Sequence, residues 1–181
     1  MDIPGFEFSS VLPVEYLDDL EALMFFNPLQ PLTRTDIMRS MDTYGAPDIR
    51  VEGERLRVTV GTLTDVQMLF ALADTGDGHE LAGVVLYFRT DVENILVLHI
   101  AVTEQFSSTG SHAAAMLVVQ LLDAVRVVAR QLKGVRSITI AYGAGSTLRM
   151  PVRPSHTPTG RARTLDKPPA HDVADANGQA A

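Results

Sequence analysis

Residues 94–143 read NILVLHIAV (94–102), TEQFSSTGSH (103–112), AAAMLVVQLLDAVRVVARQLKG (113–134) and VRSITIAYG (135–143), and the order of these four pieces decides the fold. The first piece is aliphatic and β-branched with no breaker, as a buried strand requires, and the last has the same character. In the third, Gln120, Asp123, Arg126, Arg130 and Lys133 recur every three or four residues. Met116, Leu117, Val119, Leu122, Val125, Val128, Ala129 and Leu132 fill the positions between them, which predicts one long amphipathic helix. A strand, a helix and a strand in that order place the two strands side by side and parallel, with the helix crossing one face of the sheet. The polar turn at 103–112, entering a long helix, is expected to leave backbone N–H groups without intrahelical partners, with the positive end of the helix dipole behind them. Such a turn suits an anion. Ser107, Ser108, Thr109 and Ser111 would serve equally as ordinary helix caps.

Working outward toward the N-terminus, residues 6–12 form a short strand before Pro13. Residues 14–26 (VEYLDDLEALMFF) carry apolar side chains at helical spacing, with acids early in the segment, and Asn27-Pro28 ends that helix. A second helix starts with Thr33 or Thr35 as its cap, runs through Ile37, Met38 and Met41, and stops before Gly45-Ala46-Pro47. Residues 49–60 alternate around Glu52-Gly53-Glu54, the pattern of a hairpin. Residues 66–73, 79–89 and 95–102 then follow as three strands with short turns, an antiparallel meander that leads into the crossover helix.

From Met150 onward the chain holds half of its ten prolines, and its only large apolar side chains besides Met150 are Val152, Leu165 and Val173. The expected division is therefore a domain at 1–149 and a Pro-rich disordered or partner-dependent tail at 150–181. The 181 residues are 46% hydrophobic, which fits a single core. A net charge of −7 and a pI near 5.1 argue against a nucleic-acid backbone as partner. There is no cysteine, so thiolate catalysis and Cys-type zinc sites are excluded. His79, His99 and His112 lack metal-ligand spacing. The opening MDIPGFEF has no basic n-region, and the longest apolar helix carries Asp123 and Arg126 at its middle. These features predict neither leader nor membrane span, and a cytoplasmic location.

The order helix, helix, meander, turn, long helix, strand over residues 6–143 resembles the GNAT superfamily of acyl-coenzyme A dependent N-acyltransferases. FALADTGDGHELAGVVLYF (70–88) matches that family's acid-Gly then aliphatic-Gly-aliphatic pattern, and Val102, Phe106 and Gly110 fall on its strand-end Val, its aromatic and its first turn Gly. Ser107, Ser108 and His112 depart from it, standing where Arg or Gln, Gly, and a small residue are usual. The resemblance implies an α/β (α+β) domain with a mixed, mostly antiparallel sheet flanked by helices. It also implies transfer of an acetyl group from acetyl-coenzyme A to an amine, and the acidic surface favours a cationic acceptor. The cofactor would lie against the backbone of Ile100, Ala101 and Val102 and on the turn Ser107, Ser108, Thr109, Gly110, Ser111, His112 and Ala113, whose amides would take the pyrophosphate. The imidazole of His112 would either crowd the phosphates or, protonated, contact them.

Deprotonating the amine needs a base, for which His99 and Glu104 at the strand end are the candidates; Tyr142 is the candidate acid, although it lies off the family's pattern. The family's later helix and strands have no counterpart in the sequence. That shortening, with Ser107 and His112, also suits a catalytically degenerate fold kept as an interaction or assembly module. The sheet edge it would leave open invites a homodimer.

Overall fold

The computed structural model describes residues 4–28, 30–76, 78–140 and 148–152, with the backbone alone at 30–33. Among the described residues nine strands and three α-helices follow in the order β1 (Phe6–Ser9), β2 (Leu12–Pro13), α1 (Leu17–Phe25), α2 (Gln30–Tyr44), β3 (Pro47–Glu52), β4 (Arg55–Val60), β5 (Gln67–Asp74), β6 (His79–Arg89), β7 (Asn94–Val102), α3 (Leu117–Gln131), β8 (Ser137–Ile140) and β9 (Leu148–Pro151). The fold is mixed α+β. Its main sheet has the order β1-β5-β6-β7-β8-β9, and a smaller one the order β2-β4-β3.

The expected meander is present, with β5, β6 and β7 paired antiparallel. So is the crossover, because β7 and β8 run parallel from Asn94↔Ser137 to Val97↔Ile140. Asn94 fixes that register: its Oδ1 accepts hydrogen bonds from Ser137 Oγ (3.0 Å) and Thr139 Oγ1 (2.9 Å). The main sheet separates two apolar layers. On one face Ala82, Val85, Tyr87, Ile95, Val97 and Val102 pack against α3, and on the other Leu81, Val84, Leu86, Leu96, Leu98 and Ala101 pack with α1 and the small sheet. Sheet residues with both faces covered read as continuous apolar runs, which is why β6 and β7 do not alternate.

Four features differ from the sequence expectations. The strand at 6–12 is two strands, since β1 joins the main sheet at β5 while β2 joins β4. Helix α3 begins at Leu117 rather than at 113, because Met116 adopts a left-handed conformation (φ 50°) after a single 3-10 turn at Ala113–Ala115. Its core seam is Leu117, Leu121, Val125 and Ala129, an i, i+4 row, whereas Met116, Val119 and Leu132 are exposed. Finally, β9 pairs antiparallel with β8, and Val152 is wholly buried, its N–H donating to the Arg136 carbonyl. Sheet and core thus run three residues past the expected boundary at 149, and the outer edge of β8, expected to be open to a second copy, is covered. Residues 153–181 lie outside the described residues. Among the described residues no helix is long and apolar enough to cross a membrane.

Candidate functional site

Two places bring together the residues singled out by the sequence, and both arise at β7. Between Leu86↔His99 and Tyr87↔Val97 the register slips, leaving Leu98 as an extra residue on β7. Before the bulge Leu96 and Leu98 face α1, and after it Ala101 does, with Val97 and Val102 on the α3 side. The bulge therefore lets two successive side chains, Leu98 and His99, line the same hollow, where strict alternation would have sent His99 to the opposite face.

That hollow has a volume near 240 Å³. Its walls are Met24 and Phe25 of α1, Ile37, Ser40 and Met41 of α2, the turn Gly45-Ala46-Pro47, and Val60, and Leu86 lies beside Leu98 and His99. His99 is the one ionisable side chain among these. Burial lowers its pKa from 6.5 to about 4, so the imidazole is neutral at pH 7. The turn closing the hollow depends on two glycines with positive φ, Gly45 and Gly61, which pack backbone to backbone. A Cβ on Gly61 would lie 2.2 Å from the Tyr44 carbonyl oxygen.

The second place is the turn after β7. Residues 104–106 form a 3-10 turn that buries Phe106, whose ring meets Phe6 edge-on at 5.1 Å and the His112 imidazole at 5.4 Å. His112 thus folds back onto an aromatic side chain. Three of the six amides from Ser108 to Ala113 are occupied: Gly110 donates to Ser107 O (3.1 Å), His112 to Gln105 O (2.8 Å) and Ala113 to Gly110 O (3.2 Å). Ser108, Thr109 and Ser111, with exposed side chains, have amides without an acceptor among the described residues. Gly110 is required by close approach, since a Cβ there would sit 2.1 Å from the Glu104 carbonyl oxygen. The helix dipole begins beyond Met116, past this turn, so its positive end is not at Gly110. The side of the turn open to solvent is lined by Thr103, Glu104, Gln105, Thr109, Gly110 and Ser111, and the one charged group there is a carboxylate.

The proposed base candidates are not brought together, because His99 lines the hollow under α2 while exposed Glu104 lines the turn, and the two share no lining residue. Ile100 is half-buried on the α3 side; Ala101 and Val102 are buried. The carbonyl of Val102 already accepts a hydrogen bond from Asn27 Nδ2 at 2.9 Å. Ser107 is buried, with its Oγ 3.4 Å from Thr109 Oγ1. Tyr142 lies outside the described residues. Asn27 went unnoticed in the sequence beyond its helix-ending role, although a polar residue between an amphipathic helix and a proline marks a chain reversal that needs anchoring. Among the described residues no three His, Asp or Glu side chains converge as a metal site would require.

No protein-family model matches the chain, and searches of curated proteins and of solved structures likewise return no match.

Proposed function

We propose that this protein is an acyltransferase-like α+β domain that works as an interaction module and does not transfer acyl groups from coenzyme A. The observation that carries this reading is the turn at 103–116. A pyrophosphate bears several negative charges and needs converging donors. Here half of the candidate amides are bonded to the turn's own carbonyls, the helix starts too late to contribute its dipole, and the solvent side presents Glu104 with no Lys or Arg among its lining residues. Asn27 already takes one of the two acceptor positions of the Val102 carbonyl, a strand-end group that a pantetheine arm would use. Calorimetry with acetyl-coenzyme A tests the reading. No saturable heat at millimolar ligand is expected, and saturable binding would overturn it.

A second reading, acetyl transfer from acetyl-coenzyme A to an amine, is favoured by the bulge at Leu98 and by the hollow beside it. β7 also extends past Val97, its last residue paired with β8, so 98–102 have no strand on that side among the described residues. His99 would then be the base, acting as a neutral but weak one. Turnover with a panel of cationic amines would establish this reading, and loss of that turnover in His99→Gln would assign the base.

A further inference from the structure

Among the three α-helices, α2 is the one whose packing is least complete, since α1 and α3 each bury several side chains. An amphipathic helix normally buries one stripe, yet no described side chain of α2 is fully buried. Ile37, Met41 and Tyr44, spaced i, i+4, i+7 on one face, are only half-buried. Ile37 and Met41 border the 240 Å³ hollow. An apolar cavity of ~150 Å³ is enough to admit a benzene ring, so this one holds a larger hydrocarbon body. A second, more open hollow of about 480 Å³ shares Phe25, Ile37 and Met41 with the first and carries Arg34 among its lining residues. Arg34 is the one charged side chain lining either hollow, and it forms no ion pair among the described residues. Arg34 and Met41 are seven positions apart, two turns along one helix face and about 10.5 Å of axis.

We propose that these adjoining hollows, which share Phe25, Ile37 and Met41, bind a medium-chain monocarboxylate, its alkyl body between Met24, Met41 and Leu98 and its carboxylate at Arg34. The walls select an uncharged body, since they hold carbon, one hydroxyl and a neutral imidazole. Arg34 selects a negative head by charge. An extended eight-carbon chain, seven bonds at roughly 1.2 Å each, is about 8 Å long and so fits within the axial separation of Arg34 and Met41. The proposal is independent of how the turn after β7 is read, because the two sites share no residue.

The test uses the full chain with 13C-methyl methionine, titrated with octanoate and octylamine. Saturable shifts of the Met24 and Met41 methyls are expected, with exposed Met116 unmoved. Octanoate should bind about fivefold more tightly than octylamine, the scale of one exposed ion pair. Arg34→Glu should reverse that order. Should that variant fail to fold, Arg34→Gln should abolish the preference, and Met41→Trp, filling the hollow, should abolish the shift of the remaining Met24 methyl. Equal or tighter binding of octylamine by the native chain, an order unaffected at Arg34, or unmoved Met24 and Met41 at millimolar octanoate would each overturn the proposal. A preference for octylamine would instead agree with an amine-acetylating site.

Discussion

The position of His99 makes acid stability a quantitative probe of the bulge on β7. In the unfolded chain its imidazole titrates near 6.5; in the native state burial lowers this to about 4. As the pH falls below 6.5 the unfolded state binds a proton that the native state refuses, so stability is lost across the window from 6.5 to about 4 and levels off below it. The full difference amounts to about 3.4 kcal/mol at 1.36 kcal/mol per pKa unit. Near pH 4.5 roughly 2.5 kcal/mol of it has been lost, and about 2 kcal/mol is the working figure because His99 keeps partial solvent contact. Urea unfolding followed by far-UV circular dichroism near pH 7 and pH 4.5 measures it, with His99→Gln as the comparison. Carboxylates that titrate in the same interval contribute to both proteins and cancel. The native protein should lose about 2 kcal/mol more than His99→Gln between the two pH values. Equal losses would refute the placement of His99 in the apolar hollow.

Three further substitutions probe what holds the two sites in place. Asn27→Ala removes the buried donor to the Val102 carbonyl and should cost about 1–3 kcal/mol by denaturant unfolding, with unchanged stability contradicting the anchoring role. Gly61→Ala forces a Cβ against the Tyr44 carbonyl at a positive φ and should lower the thermal midpoint by several degrees, following a loss of roughly 2 kcal/mol or more. Val152→Ala deletes two methyl groups from the core beneath α3 and should cost about 2 kcal/mol, whereas a surface value below about 0.5 kcal/mol would place Val152 outside the core.

The larger architecture was legible because periodicity reports it. The meander, the crossover and the parallel β7/β8 pair follow from apolar runs separated by Gly, Asp and Asn turns, and the structure has them. What escaped involves single-residue events that periodicity cannot register. The bulge at Leu98 lies inside a continuous apolar run, where no change of pattern can show which side chain changes face. The break before α3 falls on Met116, a non-glycine residue in a left-handed conformation, so Gly and Pro punctuation offered no sign of it. The buried seam of α3 could not be picked out from the apolar positions because valines occur nearly all around the helix: Val125 is buried while Val118, Val119 and Val127 are exposed. β9 was hidden by the prolines that follow it, although Leu148-Arg149-Met150-Pro151 needs a proline only at its end, where strands tolerate one. A polar turn does follow β7 where the sequence places one, but the fate of its amides depends on backbone conformation that residue types do not specify.

The most direct test of the account is isothermal titration of the full chain with acetyl-coenzyme A at millimolar concentration. The turn at 103–116, with half of its candidate amides bonded internally and a carboxylate on its solvent side, predicts no saturable heat, the same as for buffer. A saturable isotherm that is weakened by Gly110→Ala would mean that the turn opens to take a pyrophosphate, and would contradict the central claim.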